Sequence, residues 1–302
     1  MMHMRLSAEN GTGGGAVAGL DGPVVDDPML GEILRRTKGL SPEQIQAALD
    51  YQRANGVRFG EAIVKLGLAG ADDVMWALSQ QFHYPYMATA DVDVDSELVV
   101  AKQPFADSVE IFRDLRTQLL LNGFGSPDDR SSLAVVSPNR GDGKTFIAAN
   151  LAVAFGQLPG RTLIIDADLR SPRLHDIFNC PGSTGLVSVL NGRAEANVIR
   201  PVAALPNLYL LPVGATPPNP SELILKPAFT LLLNELSGKF DYVIVDTPAA
   251  SHGSDARIIA SRCGASLAVA RKNRSKLPEM RQLLEQLGKT RIKMFGVVMN
   301  DY

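Results

Sequence analysis

The segment Ser137–Phe146, SPNRGDGKTF, follows the apolar run SLAVV and enters KTFIAANLAVAFGQ, which places Ile147, Leu151, Ala154 and Phe155 on one helical face. A strand, a glycine-bearing loop and a helix N-terminus in that order make a cradle for phosphate. Backbone N–H groups and the helix end face the anion, and Gly141 and Gly143 permit its close approach. Lys144 is then placed to reach the β- and γ-phosphates, and the Thr145 hydroxyl to bind Mg2+. Pro138 stands where the usual loop has its first glycine, a position that only begins the turn. Two further apolar runs end in acids. TLIIDADLR carries Asp166 and Asp168, two residues apart and so on one side of an extended chain, and DYVIVDTP ends on Asp246. An unpaired cluster of acids is costly, so three carboxylates beside a lysine and a threonine point to a shared cation and phosphate.

Such residues meet only if the strands that carry them lie side by side. From Ser132 onward, SLAVVS, RTLIIDAD, NLYLLPV, DYVIVDTP, ASLAVAR and IKMFGVVMN alternate with helical segments. Near-continuous Val, Ile and Leu runs are what strands covered on both faces require. Their alternation with helices predicts an α/β fold, a doubly wound and mostly parallel sheet whose ligands sit at the carboxyl ends of the strands. A helix is expected just before it, where Val109, Phe112, Leu115 and Leu119 recur at three- and four-residue steps.

Ahead of this domain the chain repeats itself. LGEILRRTKGLSPEQIQAALDYQ from Leu30 aligns with FGEAIVKLGLAGADDVMWALSQQ from Phe59 at an offset of 29 residues, matching Gly31 with Gly60 and Gln52 with Gln81. Each copy predicts two helices joined by a turn at Gly39 or Gly67, the second helix of the first copy opened by Ser41-Pro42. The expected organisation is a disordered Gly-rich leader over 1–27, a small all-helical domain over 28–88, a linker over 89–104 and the α/β domain over 105–302.

The 302 residues are 45% apolar and 21% charged with a formal net charge of −2, which gives no bulk attraction for nucleic acid or anionic lipid. Cys180 and Cys263 lack paired spacing and His3, His83, His175 and His252 are scattered, which argues against a disulfide framework or a zinc site. No run approaches the ~20 apolar residues of a membrane span. A cytoplasmic protein is expected, peripheral to the inner membrane only through a partner.

SPNRGDGKT, LIIDADLRSPRLH and VIVDTP together resemble the Walker A, A′ and B motifs of bacterial protein-tyrosine kinases, the autokinases that control exopolysaccharide polymerisation and export. PVGATPPNPSELI over 212–224 is similar to that family's proline-rich signature. EIFRDLR matches its E-x-x-R-x-x-R spacing with Glu110, Arg113 and Arg116. The resemblance covers about residues 105–302, and the whole chain looks most like the chain-length-determinant kinases of exosortase-linked systems.

It implies ATP and Mg2+ as cofactors. Lys144 and Thr145 would hold phosphate and metal, and Asp168 and Asp246 would belong to the metal shell. Asp166 would orient or deprotonate the incoming tyrosine hydroxyl, a role it could exchange with Asp168. Gly141, Asp142, Gly143, Phe146 and Arg170 would be further nucleotide contacts, with Asn300 near the adenine. Glu110, Arg113 and Arg116 would mediate self-association, and a transmembrane polysaccharide co-polymerase would be the activator. The family's tail of several tyrosines is missing: past the last strand only Tyr302 remains, so the acceptor is Tyr302 or lies in another protein, or the chain is an ATP-dependent switch.

The helical domain resembles the N-terminal domain of type II secretion and pilus-assembly ATPases, some of which bind cyclic di-GMP. The second copy keeps Arg58, Gly60, Gly67, Ala77, Leu78 and Gln81 of that motif with Phe59 for Leu, while the first has Met29 for Arg and Lys38 for Gly. Losing an arginine removes a bidentate phosphate partner, so docking is favoured over binding of that nucleotide. A partitioning ATPase of the septum-site type is the competing class. Those proteins carry a second lysine at the loop's start, where this chain has Asn139. A secretion motor finds no support after Ser132.

Overall fold

The computed structural model describes residues 5–7, 28–81, 95–102, 106–126, 131–193, 197–203 and 205–301. Two compact units result: Glu9–Val92, and a second made of Met1–Ala8 together with Asp93–Tyr302.

The first unit holds helices α1 (Pro28–Lys38), α2 (Pro42–Asn55), α3 (Phe59–Lys65) and α4 (Ala71–Gln81). Ser41 starts α2 with a reciprocal cap: its hydroxyl accepts the Gln44 N–H at 3.3 Å, and its own N–H donates to Gln44 Oε1 at 2.8 Å. Leu34, Ala48, Ile63 and Ala77 are buried at the centre. The repeated glycines serve packing. A Cβ on Gly60 would lie 2.6 Å from Val74 Cγ1, and one on Gly31 would touch the Phe59 ring at 3.5 Å. Phe59, the departure from the repeat motif, is thus a buried core residue across from Gly31.

The second unit is an eight-stranded sheet in the order β1-β8-β7-β2-β6-β3-β5-β4. Its strands are β1 (Arg5–Ser7), β2 (Ser132–Val136), β3 (Thr162–Asp166), β4 (Arg200–Val202), β5 (Leu205–Leu211), β6 (Tyr242–Asp246), β7 (Gly264–Arg271) and β8 (Lys293–Asp301). All neighbours are parallel except β4, which pairs antiparallel with β5. The expected doubly wound sheet is present, with two additions. Arg5–Ser7, placed in the leader by the sequence, pairs with Met299–Asp301 of β8, and β4 closes the far edge. Three-residue strands are too short to show a period.

Helices α5 (Val99–Lys102), α6 (Asp107–Leu121) and α7 (Lys144–Gly156) lie together, with α7 against β3, β5 and β6. The short helices α8 (Leu174–Ile177), α9 (Leu186–Leu190) and α10 (Pro220–Leu225) follow. The longer α11 (Pro227–Lys239), α12 (Asp255–Cys263) and α13 (Leu277–Gly288) complete the list among the described residues. Helix α7 is buried except at Thr145, which suits its largely apolar sequence.

The expected linker over 89–104 is corrected at 95–102. Asn150, inside α7, accepts the Val100 N–H on Oδ1 at 3.0 Å and donates Nδ2 to the Glu97 carbonyl at 2.8 Å. That segment therefore belongs to the α/β unit. Asn150→Ala leaves the buried Val100 N–H without a partner, at a cost of about 1–3 kcal/mol. The expected result is faster amide exchange at residues 97–102 while the strand cores stay protected.

Candidate nucleotide and catalytic site

From β2 the chain moves to β3; β6 inserts between them, and β7 and β8 extend on the other side of β2. That reversal opens a crevice beyond the carboxyl ends of the strands, where parallel sheets place ligands. A cavity of about 490 Å³ occupies it, lined by the 140–146 loop region, Asp168, Arg173, Pro248, Arg271, Asn300 and others.

The loop is built for backbone approach. Gly141 and Gly143 have φ of 82° and 94°, the left-handed region that favours glycine. A Cβ on Gly143 would fall 2.0 Å from Asn300 Nδ2, and one on Gly141 2.9 Å from the Arg274 guanidinium. The loop is also braced from outside. Arg271 Nη1 donates to the Gly141 carbonyl at 3.0 Å, and Asn300 Nδ2 to the Asp142 carbonyl at 3.1 Å. Asp142 points inward, accepting the Asn139 N–H at 2.8 Å and the Ser275 hydroxyl at 2.8 Å, so its side chain holds the loop's shape instead of meeting a ligand.

Lys144 is buried at the cavity wall with Nζ 3.5 Å from Asp168 Oδ2. Asp168 Oδ1 accepts the backbone N–H groups of Arg170 and Ser171 at 3.2 and 3.0 Å, which aims its other oxygen at the lysine. Asp246 is buried and accepts the Thr247 N–H at 3.1 Å, with the Thr145 hydroxyl bonded to it as well. Burial lifts its pKa to about 6, although Lys144 and Thr145 pull it down.

Asp166, expected to orient or deprotonate the incoming tyrosine, lies behind the cavity wall. It pairs in register with Asp246 and is fully buried. Its carboxylate accepts backbone N–H groups from Asp168, Arg173 and Leu174 at 3.1, 3.2 and 3.1 Å. Burial and the neighbouring Asp246 push it well above the usual carboxylate range. Asp168 lines the cavity and Asp166 does not; Asp166 shapes the turn that presents Asp168.

Arg170, expected as a nucleotide contact, is engaged elsewhere in this structure. Its Nε donates to Asp255 Oδ2 at 2.7 Å and its Nη2 to the Ser221 hydroxyl at 3.2 Å, away from the cavity. Arg173 lines the cavity in its place, held by Glu97 at 2.6 Å. Glu97 and Arg271 carried no local signal, because each reaches the site from a segment without a motif glycine or a strand-end acid; Arg173 lies within the LIIDADLRSPRLH segment, where spacing alone did not separate it from Arg170. Phe146 lines the cavity and packs edge-on against Phe112 with centroids 5.9 Å apart. Asn300 lines it too, with its amide spent on the loop.

On α6, Glu110 and Arg113 pair at the surface. Arg116 turns inward, donating Nη1 to the Ala154 carbonyl of α7 at 2.5 Å. The E-x-x-R-x-x-R spacing is thereby split between a surface pair and a half-buried clasp onto α7. Tyr302 lies outside the described residues.

Residues 133–302 match the CobQ/CobB/MinD/ParA nucleotide-binding domain. The chain is 32% identical over 208 residues to the putative tyrosine-protein kinase CapB of Staphylococcus aureus, across 68% of this chain and 89% of CapB. The chain belongs to the bacterial tyrosine-kinase family. It is also 33% identical to the putative tyrosine-protein kinase EpsB of Ralstonia nicotianae, covering 71% of this chain and 29% of EpsB, so it spans under a third of that longer relative. The kinase domain of Escherichia coli tyrosine kinase ETK superposes with a TM-score of 0.63 at 31% identity, over 67% of this chain and 79% of that one. Among the described residues, no helix of this family member is long and apolar enough to cross a membrane.

Proposed function

We propose that this chain is an ATP-dependent protein-tyrosine kinase that regulates exopolysaccharide polymerisation and chain length, working with a membrane co-polymerase as its activator. The supporting observation is the meeting of Lys144, Asp168, Asp246 and Thr145 at a glycine loop, in a chain related to tyrosine kinases named for capsule and exopolysaccharide systems.

The residues present fit a Mg2+-nucleotide. The loop has the glycines that backbone approach to phosphate demands, and beside it the cavity-facing Asp168 and the buried Asp246 both have Lys144 as a counter-charge. Among the described residues no three acidic, imidazole or thiol side chains hold a metal by themselves. This agrees with a cation that keeps waters and takes only one or two carboxylates besides the substrate's phosphates. Asp168, Asp246 and the Thr145 hydroxyl would hold it, and it would neutralise charge on the phosphate oxygens. Lys144 would meet the transferring phosphoryl, and the loop's N–H groups would fix its orientation. Positioning and charge neutralisation account for such a reaction with little covalent work by the protein.

The acceptor is restricted. Tyr51, Tyr209 and Tyr242 are each half-buried, and Tyr242 packs on Phe155 with ring centroids 4.7 Å apart. A tyrosine outside the described residues, Tyr302 among them, or one on another protein is the better substrate. The exposed Glu110–Arg113 pair would contribute to self-association, and the helical unit would dock a partner. Incubation with Mg-ATP and a co-polymerase fragment, followed by phosphotyrosine mapping, is expected to give label on Tyr302 or on the partner. ATP turnover with no phosphotyrosine would assign the chain to nucleotide-gated switches of the septum-site class.

A further inference from the structure

The carboxylate that faces the cavity is aimed by two backbone N–H groups, those of Arg170 and Ser171. What holds that backbone in place lies on its far side. Asp255 begins α12 with its side chain 2% exposed and receives two donors: Arg170 Nε on Oδ2 at 2.7 Å and the Ser221 hydroxyl on Oδ1 at 2.5 Å. Arg170 Nη2 donates in turn to the same Ser221 oxygen at 3.2 Å, which closes a three-membered ring. Arg170 belongs to the turn after β3, Ser221 to α10 within the proline-rich segment, and Asp255 to the helix after β6. A charge-assisted bond to a buried acid is among the stronger links a side chain makes, and it fixes the orientation of a guanidinium.

We propose that Asp255 is a positioning residue for the metal-nucleotide site: through Arg170 and Ser221 it locks the 168–171 turn, so that Asp168 presents one oxygen to the cavity. The inference rests on the Mg2+-nucleotide reading of that cavity. Asp255 touches no reacting group. Its effect passes through the backbone that orients Asp168, as outer residues around a metal commonly tune its affinity by roughly 10–100-fold. The ring also gives the proline-rich segment a physical task, since Ser221 braces both partners of the ion pair.

The test uses the full chain and a fluorescent ADP analogue, titrated first in EDTA and then with increasing Mg2+. Wild type is expected to bind more tightly as Mg2+ rises. Asp255→Asn keeps the side-chain shape and is expected to leave affinity in EDTA unchanged while raising the Mg2+ midpoint by roughly 10–100-fold. Ser221→Ala, which leaves no buried charge unpaired, is expected to shift the midpoint the same way by less. If Asp255→Asn does not fold, Ser221→Ala decides, and an unchanged midpoint overturns the proposal. So does equal loss of affinity with and without Mg2+, the mark of a structural role alone. A wild type indifferent to Mg2+ would overturn the reading of the cavity and this inference together. A wild-type Mg2+ response shared in full by both variants overturns the inference only.

Discussion

Lys144→Met is expected to reduce phosphotyrosine formation by about 10³-fold or more, with the fold retained. The size follows from what the ammonium alone supplies. It is buried at the cavity wall as the direct counter-charge to Asp168, and it pulls the Asp246 carboxyl down. Methionine matches its length and apolar stem, so packing around Phe146 survives, but the loop loses its one buried ammonium and keeps only the exposed Arg140 guanidinium of its own at the cavity. A second consequence separates this variant from a general lesion. With the lysine gone, Asp246 titrates still higher, and the apo protein should be less stable at pH 8 than at pH 6 by more than wild type is. Thermal melts across that range check it, and a radiolabelled phosphotyrosine assay gives the activity. Residual activity within tenfold of wild type would remove Lys144 from the catalytic role assigned to it.

Asp246→Asn has the second large effect, and it moves stability and binding in opposite directions. The folded carboxyl titrates near 6, above its ordinary value of 3.8. Between those limits the folded chain holds a proton that the unfolded chain has released, so stability falls as pH rises through the window and the full cost stands above pH 6. The gap corresponds to about 3 kcal/mol. Asparagine carries no charge to desolvate and still accepts the Thr247 N–H. The variant should therefore melt higher than wild type above pH 6, with the advantage fading as pH drops towards 4. The same change takes a carboxylate from the proposed metal shell, so the Mg2+-dependent rise in nucleotide affinity should be largely lost. A melting temperature below wild type at pH 8 would show that the buried charge is compensated by something other than Lys144 and Thr145.

Much of this site was legible before any coordinates. The Lys144 loop, Asp168 and Asp246 announce themselves because apolar runs ending in glycine, lysine or acid have few other uses in a parallel sheet. The surroundings of Asp166 and Arg170 did not, because both are decided by tertiary partners. Asp166 faces backbone N–H groups up to eight positions on, and Arg170 meets an acid 85 residues away. The same holds for Asn150, whose amide inside a helix gives no hint that it seizes a strand of chain 50 residues earlier. Repeat spacing revealed the helical unit, and Gly60 against Val74 supplies its reason. The three-residue strands at both sheet edges carry no period to read, and residues 95–102 lacked any pattern that would have removed them from a linker.

The strand at Arg5–Ser7 makes the helical unit an insert whose two ends both return to the same α/β body. Cutting the chain ahead of residue 93 to isolate the catalytic part would leave β8 as a bare rim with unpaired amides and carbonyls, an invitation to sticking between molecules. A shortened version that grafts the first eight residues back through a flexible tether should stay dispersed where the plain truncation clumps.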